Sequence, residues 1–111
     1  MAELQWSNLI PLTYEKIQNI SSLAGVYRLS YGPGDGNFYI FYIGRTKNLR
    51  RRILNHIGNL EDNLCIKNYI RKYPCRFKFA IIPDEEVRVG TERELIQKFN
   101  SKCNFQVTIE H

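Results

Sequence analysis

Alternating apolar and polar residues predict a β-hairpin near the start of the chain. Residues 25–31 and 38–44 are rich in aromatic and branched apolar side chains, and the "GPGDGN" segment between them combines the residue types that turns require. A turn centred in the middle of that segment puts Tyr27 directly opposite Tyr42. Directly opposed residues point to the same face of a sheet, so we expect the two phenols on one face.

Apolar residues at helical spacing predict helices around this hairpin. A short opening helix in residues 12–20 is capped by Thr13, and a second helix is capped by Thr46 and ends near residue 56 or 57. The stripe of the second helix that faces the core consists of Leu49, Ile53 and Ile57. Arg52 and His56 are four residues apart and therefore share a face beside that stripe.

The second half of the chain predicts two more helices and a third strand. A helix is predicted over residues 60–73, and its inward side chains are Leu60, Leu64, Ile66, Tyr69 and Ile70. Residues 75–83 alternate basic and aromatic side chains, which is typical of a strand. The last helix is predicted over residues 91–100 from a T-x-x-E capping box, and an earlier start near Asp84 stays open because a glycine interrupts the pattern.

These elements predict an α/β fold of the α+β type, with a small three-stranded antiparallel sheet flanked by helices. The chain of 111 residues is long enough for one hydrophobic core and too short for two. We expect one domain over residues 1–111. Residues 1–22 form an N-terminal extension with the short helix, residues 23–105 form the core, and residues 103–111 form an extended tail packed against it.

Positive charge is concentrated in the middle of the chain. The net charge is +5, whereas residues 45–78 contain ten Lys and Arg against Glu61 and Asp62, a local balance of +8. Such a segment favours a surface that binds a polyanion, because neutralising phosphates releases counterions. The alternative is a solvated helix surface, and composition alone does not separate the two.

Cysteine usage and hydropathy restrict the class of protein. Cys65, Cys75 and Cys103 are odd in number and widely spaced, so neither a disulfide framework nor a zinc site is favoured. Reduced thiols predict an intracellular protein. No segment approaches the roughly 18 apolar residues of a membrane span, and the first residues lack the pattern of a secretory leader. We therefore expect a soluble cytoplasmic protein with no membrane association.

One carboxylate and four other side chains are candidates for a catalytic or metal-binding role. Glu92 aligns with core-facing positions of the last helix, so it requires a cation, a metal ion or hydrogen-bond donors nearby. Alternatively, it lies partly exposed in the first turn of that helix, where the dipole stabilises a negative charge. The other candidates are Tyr27, Tyr42, Arg52 and His56, and each has an ordinary structural explanation when taken singly.

The order and spacing of these candidates carry more information than any one of them. "GVY" at residues 25–27 is followed by "YIG" at residues 42–44. Arg52 comes ten residues after the tyrosine of "YIG", and His56 follows one helical turn later. Either tripeptide alone is a weak signal, whereas the two together with this helix form a specific pattern.

The C-terminal part extends the pattern and identifies a family. In "ERELIQKFNSKCN", Glu92 is followed twelve residues later by Asn104. Together these segments resemble the GIY-YIG nuclease family over residues 23–105, as a stand-alone single-domain member. Val26 replaces the isoleucine of the family motif, and Ser101 stands where a proline is frequent. Neither departure touches a principal catalytic position.

The resemblance implies a metal-dependent DNA endonuclease that hydrolyses phosphodiester bonds. One divalent cation, Mg²⁺ or Mn²⁺, would be held by Glu92, and the planar guanidinium of Arg52 would stabilise the phosphate. Tyr27 and Tyr42 would orient or activate water, with Tyr27 favoured as general base and His56 assisting it. A free phenol has a pKa of about 10, so this role requires help from a neighbouring group.

Further residues acquire supporting roles from the same resemblance. Asn104 would fix the geometry around the site through hydrogen bonds. DNA is the expected partner, bound by the basic residues Arg45, Lys47, Arg50, Arg51, Lys67, Arg71, Lys72, Arg76 and Lys78. Since little chain follows Asn104, a protein partner or a homodimer would supply specificity.

The alternative function is a nucleic-acid-binding or assembly module without turnover. Repair, restriction, recombination and mobile-element movement all stay open as pathways.

Overall fold

A computed structural model describes residues 4–104 of the chain. In chain order its elements are strand β1 (Ile10–Pro11), helix α1 (Tyr14–Ile17), strands β2 (Gly25–Tyr31) and β3 (Tyr39–Thr46), helices α2 (Leu49–Ile57) and α3 (Leu64–Lys72), strand β4 (Cys75–Ile81), helix α4 (Glu85–Phe99) and a 3-10 turn (Lys102–Asn104). The tail predicted after Asn104 lies outside the described residues.

The strands form one antiparallel sheet in the order β1-β4-β2-β3. The predicted α+β class is confirmed, but the sheet has four strands and not three. The additional strand β1 pairs Ile10 with Phe77 and Pro11 with Arg76. Two residues are too few to show alternation, so no sequence pattern marks them as a strand. In this order β3 is an edge strand beside the rest of the sheet.

The predicted register of the hairpin is wrong by two residues around Tyr27 and Tyr42, and by one residue nearer the turn. Tyr27 pairs with Gly44, and Tyr42 pairs with Leu29. The loop over residues 32–38 lies further along the chain than assumed, and Phe41 bulges out of the β2–β3 pairing. A shift by an even number of residues leaves every side chain on its original face. Tyr27 and Tyr42 are therefore diagonal neighbours on one face, with ring centroids 6.2 Å apart.

Each face of the sheet carries its own hydrophobic cluster. The larger cluster packs α1, α2 and α3 against one face of β2, β3 and β4, with Ile17, Tyr27, Leu29, Phe41, Leu49, Ile53, Ile66 and Phe77 at its centre. The smaller cluster packs α4 against the other face through Val26, Ile43 and Ile82, with Leu95 and Ile96 partly buried beside them. The helices thus sandwich the sheet and extend to both sides of the edge strand.

The helix start was predicted correctly at α1 and wrongly at α2, and at α4 the earlier start near Asp84, left open from the sequence, is the correct one. Thr13 does cap α1, but Asn48 caps α2 because Thr46 is still part of β3. Asp84 caps α4 through Oδ1, which accepts hydrogen bonds from the amides of Glu86 and Val87. The T-x-x-E segment therefore lies inside the helix. Helix α4 runs without a break from Glu85 to Phe99, so Gly90 does not interrupt it.

Helix α3 begins later than predicted. Its N-cap is Asn63, whose side chain accepts a hydrogen bond from the amide of Ile66. Leu60 and Leu64, predicted to face inward, are 75% and 66% exposed. Leu60 belongs to the connection before the cap and does not follow the helical period, whereas Leu64 is the first residue of α3 and is exposed there.

Two of the three cysteines form a disulfide bond, contrary to the prediction of reduced thiols. Cys65 at the start of α3 is bonded to Cys103 in the 3-10 turn, with their Cα atoms 5.4 Å apart. Cys75 is a free thiol, and burial raises its pKa to about 11. Nothing in the spacing of 38 residues between Cys65 and Cys103 indicated this contact, which the tertiary fold alone brings about.

Reducing this disulfide is expected to lower the free energy of unfolding by about 3–4 kcal/mol, because the unfolded chain regains the freedom of a long loop. Urea unfolding with and without reductant measures the change. A Cys75→Ser variant should show the same difference, which excludes disulfide exchange through Cys75. An unchanged unfolding midpoint after complete reduction would contradict the expectation.

Among residues 4–104, none of the helices has both the length and the apolar character needed to cross a membrane.

Candidate active site

The candidate residues gather at the open edge of the sheet. Helix α2 covers one face of β3 and α4 covers the other, so their side chains approach each other around the edge strand. A cleft of about 290 Å³ lies there, lined by Tyr42, Arg45, Thr46, Lys47, Arg52, Glu85, Arg88 and Glu92. The predicted carboxylate, arginine and tyrosine therefore share one cavity.

Tyr27 lies in the middle of β2 behind this cleft and is fully buried. Its ring crosses over the paired strand at Gly44. A Cβ at Gly44 would lie 2.5 Å from the Tyr27 hydroxyl oxygen and 2.9 Å from Cε2 of Tyr42. A glycine leaves the two phenols in place, whereas any side chain at this position would collide with them and force them to move.

A Gly44→Ala variant is expected to fold and to lose activity by about tenfold or more, because displacing a reacting group by even an ångström is costly. The rate of plasmid cleavage measures the loss. Gly58→Ala is the matched control, since a Cβ there would approach only one backbone oxygen, at 3.5 Å. A Gly44→Ala rate equal to the control would show that the close approach to Tyr27 is not required.

His56 joins Tyr27 to a buried carboxylate. Its Nε2 lies 2.7 Å from the Tyr27 hydroxyl, and its Nδ1 makes a short hydrogen bond with Oε1 of Glu61. The other oxygen of Glu61 accepts a hydrogen bond from the amide of Asn63 at 2.7 Å. His56 is 2% and Glu61 also 2% exposed. These contacts form a chain from the centre of β2 to the start of α3.

The charge of Arg52 acts on all the titratable groups around it. Burial raises the pKa of Tyr27 well above its usual value, and burial also raises the pKa of Tyr42, while the Arg52 guanidinium partly opposes both shifts. Burial and then Arg52 lower the pKa of His56 to about 4, although Glu61 opposes this. At neutral pH both phenols are therefore protonated and the imidazole is neutral.

Glu92 extends from the middle of α4 and not from its first turn, so the dipole explanation for this carboxylate is wrong. Its Oε1 accepts a hydrogen bond from Nη1 of Arg45 at 2.6 Å. The side chain of Arg45 is 46% exposed and that of Glu92 is 16% exposed. The carboxylate is thus held at the cleft by an ion pair that is open to solvent.

Asn104 binds the outer edge of β3. Its Oδ1 accepts a hydrogen bond from the amide of Ile43 at 2.9 Å, and its Nδ2 donates to the Ile43 carbonyl at 2.7 Å. Ser101 also donates to Oδ1. The side-chain amide thereby takes the place of a neighbouring strand at the residue between Tyr42 and Gly44, which holds that part of β3 in position.

The predicted DNA-binding residues fall into separate groups. Arg45 and Lys47 line the cleft, whereas Lys67 and Arg71 line a depression beside His56. Of the other predicted cations, Arg50 donates through Nε to the Ile20 carbonyl, Arg51 is exposed on α2, and Lys72 lies over the ring of Tyr73.

The two predicted cations of β4 do not share a surface with α3. Lys78 pairs with Arg28 across the sheet, whereas their neighbour Phe77 belongs to the cluster that packs against α2 and α3. Side chains alternate between faces along a strand, so Arg76 and Lys78 lie on the face away from those helices. Arg76 lies over the ring of Phe38, 4.8 Å from its centroid.

Two residues near the site were missed from the sequence. Glu61 was counted only as an acid in a basic segment, and nothing in the sequence distinguishes it from the exposed Asp62. Arg88 is 6% exposed, and its Nη1 donates to the carbonyls of Ile82 and Pro83, each at 2.9 Å. These hydrogen bonds hold the connection between β4 and α4 in place. Glu92 lies on α4 itself. The correct start of α4 would have placed Arg88 one turn before Glu92.

Comparison with known proteins identifies the family of this chain. The family model of the GIY-YIG catalytic domain matches residues 23–104. The chain is 30% identical over 93 residues to the UvrABC system protein C of Rickettsia bellii and 30% identical over 102 residues to that of Rickettsia rickettsii. These matches cover 84% and 92% of the chain, but only 14% and 15% of the relatives.

A solved structure has the same fold. The GIY-YIG N-terminal endonuclease domain of UvrC from Thermotoga maritima, bound to its catalytic divalent cation magnesium, superposes with a TM-score of 0.61 at 19% identity. The match covers 80% of this chain and 91% of that domain. Because the family model spans most of the sequence and the fold agrees, the chain belongs to the GIY-YIG catalytic domain family and is a nuclease domain.

Proposed function

We propose that this chain is a metal-dependent DNA endonuclease that hydrolyses a phosphodiester at the edge of β3. The observation that carries the proposal is the convergence of Glu92, Arg45 and Arg52 on one cleft, with Tyr42 in its wall and the Tyr27–His56 pair directly behind. Acid, base and phosphate-binding groups are thus assembled around a cavity that is open to solvent.

The cleft has the chemistry of a magnesium or manganese site. Glu92 supplies a hard carboxylate oxygen, and within residues 4–104 no group of three or more His, Cys, Asp or Glu side chains is arranged so that it could hold a metal ion. A single carboxylate suits Mg²⁺, which keeps several of its waters. The cleft of about 290 Å³ has room for such waters at about 30 Å³ each. When bound, the cation supplies positive charge to the phosphate as negative charge builds up there.

Arg52 is the group proposed to bind the scissile phosphate. It extends from α2 into the cleft and is only partly exposed. Its guanidinium offers parallel N–H donors that match two phosphate oxygens, and its charge does not depend on pH. The phosphate gains negative charge as water attacks, so a fixed cation at this place stabilises the transition state more than the substrate.

Tyr27 is proposed to take the proton of the attacking water. Its own pKa is raised by burial, so it is not already ionised. It can act as a base if its hydroxyl proton passes at the same time to Nε2 of His56, 2.7 Å away. A water–phosphorus bond forms, the phosphorus–oxygen bond to the leaving strand breaks, and the leaving oxygen takes a proton from solvent. Tyr42 orients the phosphate and the water from the cleft wall.

The remaining residues support binding and position. Arg45 and Lys47 lie in the cleft itself, and Lys67 and Arg71 extend the positive surface past His56. Asn104 holds the backbone of Ile43 in place and thereby fixes the position of the adjacent Tyr42 on β3. Arg50, Arg51 and Lys72 are proposed to add to the positive field, whereas Arg76 and Lys78 on the opposite face are not part of this surface.

The chain spans about one seventh of its curated relatives, so its partners are also proposals. DNA is the proposed substrate, because the surface around the cleft is basic. A protein partner or a second copy would supply sequence or structure specificity. These relatives bear the name UvrABC system protein C, which supports a multi-protein context for the domain.

Cleavage of supercoiled plasmid tests the proposal. Purified protein should nick the plasmid with Mg²⁺ or Mn²⁺, and EDTA should stop the reaction. DNA binding without nicking in either metal would favour the binding or assembly module. If the protein neither binds nor nicks DNA, both the endonuclease and the DNA-binding module are contradicted.

A further inference from the structure

We propose that Glu61 is a positioning residue for the reaction: its buried carboxylate holds His56 with a proton on Nδ1, so that Nε2 faces the Tyr27 hydroxyl as an acceptor. Glu61 lies in the connection between α2 and α3, outside the cleft, and contacts neither the phosphate site nor Glu92. Its hydrogen bond to the site is made through His56. This inference rests on the proposed function, which gives the Tyr27–His56 pair its task.

The hydrogen bonds determine which nitrogen carries the proton. A carboxylate only accepts, so the short contact between Glu61 Oε1 and His56 Nδ1 requires a hydrogen on Nδ1. A neutral imidazole has one N–H, and its other nitrogen then accepts. Nε2 is therefore free to accept the hydrogen bond of the Tyr27 hydroxyl at 2.7 Å. In the opposite tautomer Nε2 would be a donor and could not take the phenolic proton.

The surrounding charges agree with this tautomer. The groups that contact His56 or shift its pKa are Tyr27 from β2, Tyr42 from β3, Arg52 from the preceding turn of α2, and Glu61. Burial and Arg52 keep the imidazole neutral before the reaction. Once Nε2 takes a proton, the ring is a buried cation that would be costly without a countercharge. The carboxylate of Glu61 supplies that countercharge at hydrogen-bond distance.

Glu61 also has a structural contact that must be separated from this role. Its Oε2 accepts the amide hydrogen of Asn63, the N-cap of α3. A carboxylate serves both neighbours because each oxygen accepts. Glutamine has the same shape but only one acceptor oxygen. If that oxygen serves Asn63, the amide nitrogen meets Nδ1 of His56 and favours the tautomer with its proton on Nε2.

The Glu61→Gln variant therefore tests the inference. We expect its cleavage rate to fall about 10²-fold, as for loss of proton transfer, while its affinity for DNA stays unchanged. Long-range ¹H–¹⁵N NMR spectra should show the Nδ1–H tautomer of His56 in the wild type and the Nε2–H tautomer in the variant. Asp62→Asn, an adjacent exposed acid with the same change of charge, should keep both the rate and the tautomer.

A double-mutant cycle separates positioning from stability. Adding Glu61→Gln to His56→Ala should cost less than twofold, because Glu61 acts through the imidazole. Asn63→Ala, which weakens the start of α3, should lower the thermal midpoint and leave the rate per folded molecule intact. Additive losses in the cycle, or a wild-type ring protonated on Nε2, would overturn the inference. If the wild type does not cleave at all, the proposed function fails, and the NMR tautomer still decides the Glu61 contact.

Discussion

Replacing Arg52 with alanine is expected to lower the rate of plasmid cleavage on the order of 10³-fold, with little change in DNA affinity. Arg52 is the cation that α2 extends into the cleft beside Tyr42, and its charge also acts on Tyr27 and His56. The loss removes stabilisation that is strongest in the transition state, so it appears in kcat. Initial rates of supercoiled plasmid conversion measure it.

The controls for this prediction lie on the same helix. Arg51 is adjacent and exposed, so Arg51→Ala should cleave within a few fold of the wild type while its DNA binding weakens and depends less on salt. Arg52→Lys keeps the charge and loses the planar fork, so an intermediate rate is expected. A folded Arg52→Ala variant that cleaves like Arg51→Ala would refute the assignment of Arg52.

Replacing Glu92 with glutamine is expected to have an effect of similar size, on the order of 10³-fold, because a neutral amide is a poor ligand for a divalent cation. The fold should tolerate the change. The lost ion pair with Arg45 is partly exposed and contributes about 0–1 kcal/mol. Thermal unfolding and cleavage rates over a range of Mg²⁺ concentrations measure the two quantities separately.

The matched control for Glu92 is Glu94, which is exposed on the same helix. Glu94→Gln should keep the wild-type rate and the same dependence on Mg²⁺. Wild-type activity should be lost in EDTA and return with Mg²⁺ or Mn²⁺, whereas Glu92→Gln should stay inactive at every concentration. Full activity of Glu92→Gln at raised Mg²⁺ would mean that other groups hold the cation.

The shared faces of the candidate residues could be predicted because these residues belong to regular elements with fixed periods. Tyr27 and Tyr42 are on strands, where an error of two residues in register still leaves both phenols on one face. Arg52 and His56 are one turn apart on α2, so their shared face does not depend on where the helix is capped. Helix α4 begins six residues earlier than the predicted helix over residues 91–100, but the helical period is the same, so Glu92 still lies on the side that faces the cleft.

The errors fell where a local pattern competes with a contact that is distant in sequence. Thr46 has the chemistry of an N-cap, but pairing with Gly25 extends β3 through it and shifts the cap to Asn48. Leu60 matches an apolar period that the connection before α3 does not follow, and Leu64 is exposed at the first position of that helix. At Thr46 a tertiary contact outweighed a preference of about 1 kcal/mol, the usual size of capping effects.

Local periodicity was sufficient for the fold class, for the shared face of Tyr27 and Tyr42 and for the shared face of Arg52 and His56, because strands and helices repeat over two to four residues. The disulfide of Cys65 and Cys103, strand β1 and the contact of Glu61 with His56 needed the folded chain. Each joins segments whose separation or brevity gives no repeating signal. Burial then set the protonation states of Tyr27 and His56, since desolvation depends on everything packed around a group and not on its neighbours in sequence.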